Sequence, residues 1–124
     1  MATDGSSEFP SQQDVMSSRQ VVLASREEVR YLIEDVVRVI RNHSPEQHLQ
    51  IYLFGSWAEG TALSTSDLDI GLDLGHPVKP TAFQGIVEGV AELPTLRKVD
   101  ILDLQLVGPD FRERVRNQGE LIHG

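Results

Sequence analysis

Three short stretches carry residue types and spacings suited to binding phosphate and a divalent cation: Gly55-Ser56, Asp67 with Asp69, and Asp100 with Asp103. Asp67 and Asp69 stand two apart in a run where Leu68, Ile70, Leu72 and Leu74 alternate with Asp67, Asp69, Gly71 and Asp73. On a half-buried strand, both carboxylates leave one face while the aliphatic side chains enter the core. Carboxylates so close raise one another's pKa unless a cation lies between them. Mg²⁺ takes oxygen ligands, keeps several waters and is completed by substrate phosphates, so it suits such a pair. An Asp-x-Asp on a strand edge is nevertheless commonplace, and alone it carries little.

Leu49 to Phe54 reads as a buried strand that stops at Gly55. A glycine there lets the chain turn tightly and a ligand come close. A helix starting at Ser56 would present free amides and a positive dipole end to an anion, with the Ser56 hydroxyl as a further donor. The plainer reading is a glycine turn with a serine at a helix cap. Asp100 and Asp103 lie three apart in the strand-like KVDILDL, hence on opposite faces. Asp100 shares its face with Lys98 and Leu102, and the pattern does not choose between the two acids.

The elements that must position these residues follow from periodicity. Residues 1–22 are polar and aperiodic and read as a flexible tail; 23–124 read as one domain. Ser25-Arg26-Glu27-Glu28 matches a capping box. Val29, Leu32, Ile33, Val36, Val37 and Ile40 then recur at helical spacing until Asn42-His43-Ser44-Pro45. Thr81 to Leu93 predicts a second helix, weakened by Gly85 and Gly89. Gly108-Pro109 opens a last one, from Asp110 to about Asn117. The order is helix, strand, short helix, strand, helix, strand, helix. That is an α+β domain, a small sheet covered by helices mainly on one side.

Composition narrows the function classes. With 19 acidic and 11 basic residues the net charge is −8, the wrong balance for gripping a long nucleic acid. The absence of cysteine excludes disulfides, thiol nucleophiles and thiolate metal sites, and fits a cytoplasmic setting. No run approaches the roughly 20 apolar residues of a membrane span, and no leader is expected at the N-terminus. His43, His48, His76 and His123 lack the spacing of zinc ligands. Trp57 could stack on a base, though core packing is the simpler role. Lys79, Arg97 and Lys98 could assist phosphate, with a solvated surface as the default.

Together, Gly55-Ser56, ten intervening residues, Asp67-x-Asp69 and a later Asp100 resemble the nucleotidyltransferase superfamily of DNA polymerase β type. The nearer resemblance is to its minimal nucleotidyltransferase (MNT) branch, on FGSWAEGTALSTSDLDIGLDL and VDILDL, running from about Val29 to the C-terminus. That resemblance implies a mixed sheet flanked by helices, with Gly55 and Ser56 binding nucleotide. It also implies Asp67, Asp69 and Asp100 as catalytic ligands of two Mg²⁺ ions, choosing Asp100 and leaving Asp103 structural or on the surface. The implied reaction moves a nucleoside monophosphate, AMP from ATP, to a hydroxyl. Larger relatives hold the acceptor on a second domain, whereas 24 residues follow Asp100 here. MNT proteins work with helical HEPN (higher eukaryote and prokaryote nucleotide-binding) partners, so the implied role is an antitoxin that adenylylates a tyrosine of a HEPN toxin. The alternatives are an aminoglycoside-type nucleotidyltransferase and a non-catalytic binding module. One departure stands out: Glu59 occupies a position where many relatives carry a basic residue. Pointing inward it would repel a triphosphate; an outward orientation is the reading adopted.

Overall fold

A computed structural model describes residues 21–124. Of the tail expected over 1–22, only Val21 and Val22 fall within the described residues; both are exposed and outside regular structure. The chain enters its first helix through a 3₁₀ turn, Arg26–Val29, continuous with α1, Arg30–His43. The expected capping box forms differently. Ser25 Oγ accepts from the Glu27 amide at 3.2 Å, while the Glu28 amide donates to the Ser25 carbonyl at 2.9 Å. The tighter i→i+3 winding brings the earlier amide under the hydroxyl. Val29, Ile33, Val36 and Ile40 are buried as the periodicity predicts, each contributing about 1.5–3 kcal/mol of burial.

Four strands follow: β1 Gln50–Phe54, β2 Leu68–Asp73, β3 Val99–Asp103 and β4 Glu120–His123. Their order is β3-β2-β1-β4. β1 is antiparallel to β2 and β4, while β2 and β3 are parallel. A one-turn helix, α2 (Ser56–Glu59), follows β1; α3 (Pro80–Ala91) makes the crossover between β2 and β3; α4 (Pro109–Gln118) precedes β4. The sheet is therefore mixed and the domain α+β. β4 is absent from the order read off the sequence. Its four residues, Glu-Leu-Ile-His, are too few for a period to register, and they form a strand by pairing with β1.

Ile51, Leu53, Leu68, Ile70 and Leu72 face α1 and α3 in the main core. Gly85 and Gly89, which weaken α3 as an isolated helix, let it lie close to α1. A Cβ at Gly89 would come 2.7 Å from Val39, and one at Gly85 would meet the His43 ring at 2.5 Å. The opposite face carries Tyr52, Leu104 and Val115, with Phe54, Val107 and Phe111 packed against them beneath α4.

That second layer corrects the reading of β2 as half-buried. Asp73 is only 5% exposed. It accepts from Arg116 Nε at 2.8 Å and Gln105 Nε2 at 3.0 Å. Burial pushes its carboxyl up, but the Arg116 hydrogen bond and charge, with Gln105 and the Gly75 amide, outweigh this and hold it below the usual carboxylate range. The pair ties α4 across the sheet. Asp69, at the other end of β2, is less buried than Asp73, and the sequence-predicted site lies there.

Candidate functional site

β1 runs into the site and β2 runs out of it, so the end of one strand meets the start of the other. Phe54 is opposite Asp69, and Asp69 is opposite Asp100 on β3. Neighbours in register share a sheet face, so Asp69 and Asp100 stand side by side. Asp67 lies one residue ahead of β2 and is exposed, rather than within the strand as read from the alternation. It is close enough to Asp69 for its charge to be felt there. Burial above all, then the charges of Asp100 and Asp67, push the Asp69 carboxyl up, and Lys98 offsets this in part. Lys98 Nζ is 3.7 Å from Asp100 Oδ1, a pair exposed enough to be weak.

Gly55 closes the arrangement. Its φ of 76° and ψ of −156° belong to a region that is essentially glycine's alone. A Cβ at this position would collide with Asp69 Oδ2. The turn and the carboxylate are thus packed together with no room for a side chain. The Gly55 carbonyl accepts from the Ala58 and Glu59 amides at 3.1 and 3.0 Å. The amides of Ser56 and Trp57 precede these first helical bonds and have no carbonyl of α2 to donate to.

The loop that delivers Asp67 is clamped by residues whose roles the sequence left open. Trp57 is buried, and its indole N–H donates to the Ser66 carbonyl at 3.1 Å. It packs in the core and is not free to stack on a base. Arg97 donates to the carbonyls of Ser64 and Ser66, and its guanidinium lies 4.9 Å over the Trp57 ring. Asp103 sits apart from the acidic row, buried, accepting from the Val78 amide at 2.8 Å and the Gln105 amide at 3.0 Å. That is a structural role.

Two hollows lie at this end of the sheet. One, of about 230 Å³, is bordered by Phe54, Gly55, Glu59, Phe111, Arg114 and Gln118. The other, of about 540 Å³, is bordered by Ser64, Thr65, Asp67, Thr95 and Lys98 among others. Glu59 is exposed, as expected, yet it forms part of the first hollow's rim. Phe111 and Arg114 reach this rim from α4, and no local pattern in the sequence signals that. Among the described residues no three His, Cys, Asp or Glu side chains form a ready-made metal cage. The donor set still fits Mg²⁺, which uses one or two carboxylates and draws further oxygens from substrate phosphates and water. The unfavourable charge at Asp69 is what a bound cation would relieve. No helix among the described residues is long and apolar enough to cross a membrane.

Comparison with known proteins gives the family and the fold. The family described as polymerase beta, nucleotidyltransferase, matches residues 34–124. The protein adenylyltransferase MntA of Shewanella oneidensis is 28% identical over 89 residues, 72% of this chain; the chain spans 63% of that relative's length. A chain in a crystal structure of a toxin–antitoxin with AMP-PNP superposes with a TM-score of 0.60 at 27% identity, covering 73% of this chain and 72% of that one. A mutant of the toxin–antitoxin MntA–HpeT gives a TM-score of 0.58 at 27% identity, over 73% and 71% of the two chains.

Proposed function

The chain belongs to the polymerase β nucleotidyltransferase family, and from that premise we propose that it transfers AMP from ATP to a tyrosine hydroxyl of a HEPN partner protein in the cytoplasm, acting as an antitoxin. The observation that carries the chemistry is the Gly55 turn packed on Asp69, with Asp100 beside it in register. The acceptor rests on similarity to MntA, a protein adenylyltransferase, and to chains in toxin–antitoxin structures, one of them with an ATP analogue.

In this reading the Ser56 hydroxyl and the amides of the Gly55-Ser56 turn hold the β- and γ-phosphates. Asp67, Asp69 and Asp100 would hold two Mg²⁺ ions, which when bound stabilise charge on the entering and leaving oxygens. Asp100 accepts the proton of the tyrosine hydroxyl. The phenolic oxygen forms its bond to the α-phosphorus in line as the bond to the β-phosphate oxygen breaks. Pyrophosphate leaves, and the proton passes from Asp100 to solvent. The fixed turn and carboxylates need little rearrangement as charge shifts, which is how a preorganised site lowers a barrier.

The acceptor is tested by incubating the chain with ATP, MgCl₂ and a purified HEPN partner, then measuring the partner's intact mass and mapping its peptides. The expected product is a partner carrying AMP on tyrosine, lost when the metal is chelated. Transfer to an added aminoglycoside in place of the partner would reassign the acceptor. Transfer to neither would leave a non-catalytic binding module.

A further inference from the structure

The hollow beside Gly55 has an unusual charge balance for a phosphate site. Glu59 stands on its rim, Asp69 and Asp100 follow Phe54 in register across the sheet, and a triphosphate would add several more negative charges. Fixed cations nearby are already committed. Arg97 holds the Ser64 and Ser66 carbonyls, Arg112 the Leu104 carbonyl, Arg116 the Asp73 carboxylate and Lys98 pairs with Asp100. Every other described arginine except one likewise bonds a carboxylate or a carbonyl. The exception is Arg114, which has no such partner among the described residues and makes no ion pair with Glu59 across the hollow.

Arg114 also has an aromatic neighbour on its own helix. Its guanidinium lies 5.4 Å over the Phe111 ring. Phe111 meets Phe54 edge-on, with centroids 5.7 Å apart at 86°, and Phe54 directly precedes Gly55. A cation over an aromatic ring is attracted to it without spending its N–H donors on an oxygen acceptor. Those donors match two oxygens of one phosphate. α4 is itself tied to the sheet by Arg116 and Asp73, so the shelf is built on a fixed element.

We propose that Arg114 is a nucleotide-binding residue whose guanidinium pairs with the distal phosphates of the triphosphate at the Gly55 turn. This rests on the nucleotidyltransferase reading above and adds a residue that neither motif nor spacing marks. It gives the hollow a positive charge to set against the Glu59 carboxylate.

The test is equilibrium binding of ATP, ADP and AMP to the full chain, with and without Mg²⁺, circular dichroism reporting on the fold. Arg114→Ala is expected to weaken ATP roughly tenfold or more, as loss of a charge-assisted pair does. ADP should weaken less and AMP not at all. Arg114→Lys should recover part of the loss, and Glu59→Gln should tighten ATP. Unchanged ATP binding by Arg114→Ala would overturn the proposal, including the case in which that variant loses only partner binding. An equal loss for AMP would also overturn it, since AMP has no distal phosphate. Failure of the unaltered chain to bind ATP would instead remove the nucleotidyltransferase reading itself.

Discussion

Asp69→Asn should abolish nucleotidyl transfer, on the order of a thousandfold or more, and leave the metal-free protein as stable as before or more so. The two halves have one cause. Burial and the neighbouring Asp100 and Asp67 charges make the ionised Asp69 unfavourable in the folded state. Its folded pKa therefore lies above the unfolded one, near 3.9. A raised carboxyl pKa means the native state binds the proton more tightly. The associated stability is present at acid pH and is lost as pH rises through the folded value. At neutral pH the unaltered protein bears this penalty, and asparagine removes it while filling the same space.

Thermal melts in EDTA from pH 7 down to about pH 4 should show the variant at or above the unaltered protein, with the gap closing toward acid. Mg²⁺ with ATP should stabilise the unaltered protein by mass action and the variant far less. A variant that melts well below the unaltered protein at pH 7 without metal would make Asp69 a structural residue.

Gly55→Ala should be damaging on both counts. The backbone angles alone cost of order 1–3 kcal/mol for a residue with a Cβ. The added methyl also collides with Asp69 Oδ2, so the carboxylate or the turn must move. A displacement near 1 Å at reacting groups can cost roughly a hundredfold in rate. Gly60 supplies the control. It too has positive φ, 79°, but a Cβ there meets nothing within 4 Å. Gly60→Ala should lose about 1–2 kcal/mol, the left-handed penalty alone, and retain most of its turnover. Urea denaturation and initial rates on both variants separate strain from collision. If Gly55→Ala lost no more activity than Gly60→Ala, the packing of the turn on Asp69 would not matter to the reaction.

These predictions turn on contacts that were legible to different degrees. The α1 stripe and the β2 alternation could be read directly, because burial against a neighbouring layer writes a period into the chain. Gly55 could be flagged because it ends a buried strand. The alternation did not reveal what covers the second face of β2. Asp69 and Asp73 look equivalent in it, yet Asp73 is paired with Arg116, distant in sequence, while Asp69 is left beside two other acids. The Trp57–Arg97 clamp, β4 and Arg114 were invisible for the same reason: each depends on elements brought together by the fold. Between Asp100 and Asp103, periodicity gave opposite faces and resemblance chose. The register puts Asp100 beside Asp69, while Asp103 turns to the Val78 amide.

The fate of labelled ATP tests the central claim most directly. With Mg²⁺ and a HEPN partner, label from the α-phosphate should appear on the partner, and label from the γ-phosphate should leave as pyrophosphate. Label from the γ-phosphate on the partner, or no transfer of α-label to any acceptor with both proteins folded, would contradict it.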